Sequence, residues 1–257
     1  MNGIEMPYPP QMALWGFLYF CRIGGMFMLF PGFSSTRVPR FARLMLAIGV
    51  TFALAPLLLH VQGATPPARE PLPGRLLALA WQEVVKGAAF GLMGRMFFLA
   101  FSFLATALAQ FAGLGNFPGV PAEGSEPMPA LTSLVMLTAT LLVFTSGAHM
   151  QALTAVVESY AVLPIGTPGL AETYLSGLVE RLSQATFVSL QAVAPFVIYA
   201  VLANLAIGLI NRMTPQIPAY FISLPLVMAG GLVMLHFMSR DMFDVVFQAF
   251  TAWLAGG

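Results

Sequence analysis

LSQATFVSLQAVAPFVIYAVLANLAIGLIN, from Leu182 to Asn211, contains no Asp, Glu, Lys or Arg, and neither does Met213 to Ser239; Arg212 alone stands between them. A membrane-spanning helix needs roughly 20 mostly apolar residues, so each block is long enough to cross a bilayer or to fill the middle of a large assembly. Both blocks also carry residues that a helix facing only lipid does not use: Pro195, Asn204, Gly208, Pro215, Pro218, Ser223, Pro225 and the pair Gly230–Gly231. Helices that pack closely against protein neighbours do use them. The fold class expected is all-α, a membrane-associated protein of long helical hairpins.

The rest of the chain agrees. Hydrophobic residues make up 58% and charged residues 8%, against roughly 25% charge in an ordinary soluble domain. The length of 257 residues suits one membrane or membrane-assembly domain. A net charge of +1 with no basic run gives nothing to neutralise nucleic-acid phosphates, so no nucleic-acid partner is expected. Cys21 is the single cysteine, which excludes an intramolecular disulfide and a cysteine metal cluster. Met1 to Pro10 has no basic residue and no small-residue cleavage site ahead of the first apolar run, which argues against a cleaved signal peptide.

Six apolar segments are expected as helices: Met12 to Phe30, Leu44 to Leu59, Val84 to Ala112, Leu131 to Val157, Phe187 to Ile210 and Tyr220 to Met238. Shorter helices are expected at Ala171 to Ser183 and at Asp241 to Leu254, the latter with Asp241 and Asp244 in its first turn. No stretch shows the two-residue alternation of a membrane barrel. Gln62 to Gly74, with its four prolines, reads as an exposed loop. Gly113 to Pro129 is too broken for a helix turn, and its first half is too apolar for a simple surface loop. Arg37, Arg40 and Arg43 cluster between the first two segments, a place the positive-inside rule assigns to the cytoplasm.

Candidate functional residues fall on three features. Gly87 and Gly91 form a G-x-x-x-G pair that lets helix backbones approach, and Arg95 follows one i+4 step later. Ser102, Thr106 and Gln110 continue a polar stripe into the loop, fit for a pore or a subunit interface. An arginine in an apolar segment is costly and usually faces protein or water; against that stand snorkelling and hydroxyls that bond back to their own helix. Asn204, Gly208 and Asn211 share a face of the fifth segment and suit interhelical packing. His149 and Glu158, nine residues apart, point to opposite sides of a continuous helix, so they do not make a local acid–base pair. No metalloprotease helix motif, nucleophile elbow or phosphate loop is present. No catalytic, cofactor-binding or metal-binding residue is assigned, and no enzymatic activity is expected.

An ordered series of phrases resembles one family. Phe20-Cys21-Arg22-Ile23-Gly24-Gly25-Met26-Phe27, Pro31-Gly32-Phe33, Val38-Pro39-Arg40, Arg43-Leu44-Met45-Leu46-Ala47 and Ala55-Pro56 open it. His149 and Ser159-Tyr160-Ala161-Val162-Leu163-Pro164-Ile165-Gly166 follow in the centre. Ala194-Pro195, Asn204-Leu205-Ala206-Ile207-Gly208-Leu209, Arg212, Thr214-Pro215-Gln216 and Leu224-Pro225-Leu226 close it. Together they are similar to the FliR/SctT family of type III export-apparatus membrane proteins, most closely its flagellar branch.

The resemblance implies a non-enzymatic subunit of the flagellar export gate in the bacterial inner membrane, at the flagellar basal body, without a cofactor. Its partners would be FliP-like and FliQ-like subunits in one hetero-oligomeric complex, FlhA-like and FlhB-like proteins, and unfolded export substrates. It also implies a single domain over 1–257, with a FliP-like portion at 1–170 and a FliQ-like hairpin portion at 171–257. The family closes its channel with a plug loop after the third long helix, near 110–129 here. The plug residues carried over are Gly113, Leu114, Gly115, Asn116, Phe117, Pro118 and Gly119. The family commonly has glutamine and methionine in this stretch, whereas this chain has Gln110-Phe111-Ala112-Gly113-Leu114-Gly115. An injectisome subunit of the same family and, more distantly, a small-solute secondary transporter remain alternatives. A transporter would call for a midplane ionisable site, often in two related halves; no internal repeat is visible, and Arg95 and Glu158 are the only candidates.

Overall fold

Helix after helix follows from the apolar runs. The structure, a computed structural model, describes residues 9–35, 37–61, 73–119, 127–167, 171–214 and 219–255. Among these, seven helices are present: α1 (Pro9–Leu29), α2 (Arg40–Val61), α3 (Pro73–Phe111), α4 (Ala130–Thr145), α5 (Ala148–Val162), α6 (Ala171–Met213) and α7 (Ala219–Ala255). Of the loop expected at Gln62 to Gly74, residues 62–72 lie outside the described residues, as do 120–126, 168–170 and 215–218, while Pro73 and Gly74 open α3 instead. α1, α2, α3, α6 and α7 are each long and apolar enough to cross a membrane. The protein is an all-α membrane protein.

Several helix limits differ from the sequence expectation, each for a local reason. α3 begins at Pro73, eleven residues before the expected Val84; proline is tolerated in a first turn, whose N–H groups lack helical acceptors anyway. The fourth apolar segment is two helices. The break is Ser146–Gly147, where Gly147 takes φ +81°, a left-handed conformation open to glycine without cost. The short helix expected at Ala171 to Ser183 runs without interruption into the fifth segment as α6. Glu180 and Arg181 do not stop it, because Arg181 reaches along the helix to Gln184 at 3.2 Å. α7 likewise absorbs the expected C-terminal helix. Asp244 sits mid-helix in an exposed i,i+4 pair with Arg240 at 3.7 Å, a spacing that places the two on one face.

The chain divides into two compact units. One holds α1, α2, α3 as far as Arg95, α5 and the start of α6. α1 and α2 pack against each other here. The core includes Leu18, Tyr19, Ile23, Met26, Phe27, Val156 and Tyr160. α1 and α3 approach at glycine: a Cβ on Gly25 would fall 3.0 Å from the Ala88 nitrogen, one on Gly91 2.7 Å from the Met26 carbonyl oxygen, and one on Gly87 would overlap the Arg22 carbonyl. The other unit holds the rest of α3, α4, α6 from Glu180, and α7. Its core is aromatic: Phe97, Phe98, Phe101, Phe250 and Trp253 are buried, with Phe97 and Phe250 edge to face at 5.8 Å. Large apolar side chains also stand exposed, including Phe41, Phe52, Trp81, Phe103, Ile198, Leu205 and Phe237. Exposed apolar surface on this scale belongs against lipid or other subunits.

Candidate functional site

The end of α3 is shaped by one glycine. Gly113 adopts φ +71°, its N–H bonds the Gln110 carbonyl at 3.1 Å, and the Leu114 N–H reaches back to Ala109 at 2.8 Å. These two bonds are the Schellman arrangement, which satisfies the last helical carbonyls and turns the chain sharply out of the helix. The chain then lies on its own unit. A Cβ on Gly113 would sit 3.2 Å from Met228 Cγ, and one on Gly231 of α7 would sit 2.8 Å from Ala112 Cβ. The Gln110 side chain closes over Gly115, leaving no room there for a Cβ.

The far end of the loop is tied to α4. An isolated antiparallel bridge pairs Pro118 with Pro129. Prolines have no N–H, so their neighbours donate instead: Gly119 to the Met128 carbonyl and Ala130 to the Phe117 carbonyl, each at 2.8 Å. The second bond also supplies an acceptor for a first-turn N–H of α4, one of the donors a helix cannot satisfy itself. A Cβ on Gly119 would press into Ala130 Cα at 2.6 Å. Between these anchors Asn116, Phe117 and Pro118 stand exposed, Phe117 with half of its surface open. The loop is thus held at both ends, with an exposed aromatic side chain between them.

The expected stripe on α3 is placed as follows. Ser102 Oγ donates to the Leu99 carbonyl at 2.9 Å, and Thr106 Oγ1 to the Ser102 carbonyl at 2.8 Å. Gln110 is exposed and folds over the loop. Arg95 is half-buried, and among the described residues it meets no acceptor. Gly87 and Gly91 lie against α1. On α6, Asn204 donates to the Ala200 carbonyl at 2.8 Å, Gly208 faces open space and Asn211 is exposed. His149 and Glu158 are both on α5, with Glu158 exposed. Among the described residues no group of three or more His, Cys, Asp or Glu could hold a metal ion.

One constellation escaped the sequence reading. Arg22, Glu83 and Lys86 are all buried in the unit that holds α1 and α5. Arg22 Nε and Lys86 Nζ each donate to one oxygen of Glu83, at 2.6 and 2.8 Å. Arg22 also donates to Ser159 Oγ at 3.2 Å and to the Leu163 carbonyl at 2.8 Å, while its guanidinium lies 3.8 Å over the Tyr160 ring. Lys86 donates to the Pro164 carbonyl at 3.1 Å and to Thr167 Oγ1 at 3.4 Å. The charges therefore staple the end of α5 and the turn after it to α1 and α3. The available signal was an Arg, a Glu and a Lys in apolar surroundings; such charges are tolerated when they meet.

Comparison with known proteins fits this architecture. The profile of the family described as "Bacterial export proteins, family 1" matches residues 13–253. The chain belongs to this family. Among similar proteins named "Flagellar biosynthetic protein FliR", that of Caulobacter vibrioides is 28% identical over 237 residues, covering 91% of each chain. That of Escherichia coli is 29% identical over 227 residues, covering 86% of this chain and 84% of its own. That of Bacillus subtilis is 24% identical over 254 residues, covering 98% and 94%.

Proposed function

We propose that this chain is a structural and gating subunit of the flagellar type III protein export channel. It helps pass unfolded flagellar proteins across the bacterial inner membrane, and it does so without catalysis. The observation that carries this reading is the family match over residues 13–253, nearly the whole chain, together with relatives named for flagellar biosynthesis. Those names favour the flagellar system over an injectisome. In the channel the chain packs beside FliP-like and FliQ-like subunits, with FlhA-like and FlhB-like proteins in the same machinery. Asn204, Gly208 and Asn211 of α6 face such neighbours, and so does the apolar surface around them.

Gly113 to Gly119 act as the channel plug. The support is the geometry of the loop: glycines at both anchors, hydrogen bonds tying it to α3 and α4, and Phe117 as exposed bulk. The test is complementation in the native cell. A strain lacking the gene should lose motility and secretion of flagellar proteins, and the chain should restore both and co-purify with two smaller hydrophobic proteins. Normal secretion without the gene would overturn the reading, as would solute uptake by the purified chain alone in liposomes.

A further inference from the structure

The loop after α3 starts on a seat made by α7. A Cβ on Gly113, where the chain turns out of α3, would stand 3.2 Å from Met228 Cγ, 3.5 Å from Leu224 Cδ1 and 3.9 Å from Val227 Cγ1. One on Gly231 would stand 2.8 Å from Ala112 Cβ. Leu224, Val227, Met228 and Gly231 recur at i, i+3, i+4 and i+7, one face of a helix. Gly230 lies about 100° further round and meets α6 instead. There the Tyr199 hydroxyl donates to the Val227 carbonyl at 2.9 Å, and a Cβ on Gly230 would collide with that hydroxyl. The seat is thus fastened to α6 by its backbone and to the end of α3 by its side chains, all within one compact unit. The same stretch is where α7 is least stiff. Pro225 stands inside the helix, and without an N–H it leaves the carbonyl four residues earlier short of its helical donor. Helices bend sharply at prolines and at pairs of glycine or serine, and Gly230–Gly231 follow Pro225 within two turns. The two glycines are explained by neighbours that leave no room for a side chain. Pro225 is not, since its ring is exposed and fills no space that packing needs filled.

We propose that Pro225 makes α7 a hinge, and that a bend at the seat is the movement that shifts the loop between holding the channel shut and releasing it. A helix that bends at Pro225 turns Leu224 relative to Val227 and Met228, the side chains against which Gly113 rests. The far end of the loop is tied to α4 by the bonds of Gly119 and Ala130, so a displaced root changes the shape of the loop rather than carrying it off whole. The proposal rests on the reading of Gly113 to Gly119 as the plug and adds the element that moves it.

The test uses the full chain in its native cell. Pro225→Ala restores the helical donor at an exposed position, so the detergent-extracted protein should melt roughly 4–8 °C higher. Assembly and the low ion permeability of the inner membrane should stay as in the parent. Secretion of flagellar proteins should nevertheless fall by about fivefold or more, the lower end of the range for coupling between distinct sites. Tyr199→Phe keeps the ring beside Gly230 and drops only the tie to the Val227 carbonyl; it should act in the opposite sense and raise ion leakage. In a chain that lacks Gly113 to Gly119, neither change should alter the leak, because no loop is left to move. Parent-level secretion by Pro225→Ala would overturn the proposal, and so would a less stable Pro225→Ala chain, which would make the proline a structural need. A change in the leak of the loop-deleted chain as large as that seen with the loop present would overturn it too. Unchanged permeability on deleting the loop alone would instead strike the plug reading itself.

Discussion

Replacing Glu83 by Gln removes the anion that Arg22 and Lys86 share in their buried cluster and leaves the two cations on either side of its place. Taking away one partner of a buried pair costs about 3–5 kcal/mol, because the remaining charge is left uncompensated. Here the two bonds lost are short and charge-assisted, 2.6 and 2.8 Å, and Glu83 has no access to water that could replace them. The upper half of that range is therefore expected. At about 2–4 °C per kcal/mol for a chain of this size, the thermal midpoint of the detergent-extracted protein should fall by roughly 8–20 °C. Membrane abundance should fall with it. The triple change Arg22→Met, Glu83→Leu and Lys86→Met should recover most of the loss, since well-packed apolar residues often replace a buried charge cluster without penalty. Arg22→Lys should not recover, because an ammonium cannot reach Glu83, Ser159 and the Leu163 carbonyl from a planar fork. A Glu83→Gln protein as stable as the parent would refute the reasoning, and so would a triple variant less stable than the single one.

Two further outcomes follow from the glycines. Gly113→Asn should secrete close to the parent level while Gly113→Val fails, because the φ of +71° suits Asn but costs other side chains about 1–2 kcal/mol and more for a β-branched one; a secretion assay of the two variants distinguishes them. Gly87→Leu should lower the thermal stability of the isolated chain, since α1 backbone already fills the space of a Cβ. Gly208→Leu should leave that stability unchanged, there being open space at Gly208, yet reduce co-purification with the neighbouring subunits.

The long apolar runs made the helices legible, because burial in a membrane assembly demands little beyond length and hydrophobicity. Boundaries were less so. Ser146–Gly147 breaks an apolar run with a single positive φ, and glycine inside a membrane helix announces neither a break nor its absence. The sequence reading ended helices at Ser183 and at Met238; side chains that pair along the helix around those points, Arg181 with Gln184 and Arg240 with Asp244, accompany α6 and α7 as they run through. At the candidate site, the glycines and Phe117 stood out because the loop is local in sequence. Arg22 and Glu83 are 61 residues apart, and Arg22 and Leu163 are 141 apart. Such a cluster is set by tertiary packing, and no spacing rule exposes it.

The most direct test of the central claim is ion leakage through the inner membrane of cells carrying Phe117→Ala, or a deletion of Gly113 to Gly119, with motility and flagellar secretion followed in parallel. The account expects leakage to rise while the complex still assembles, more for the deletion than for Phe117→Ala, whose backbone anchors remain. Unchanged permeability together with unchanged secretion in an assembled complex would contradict it.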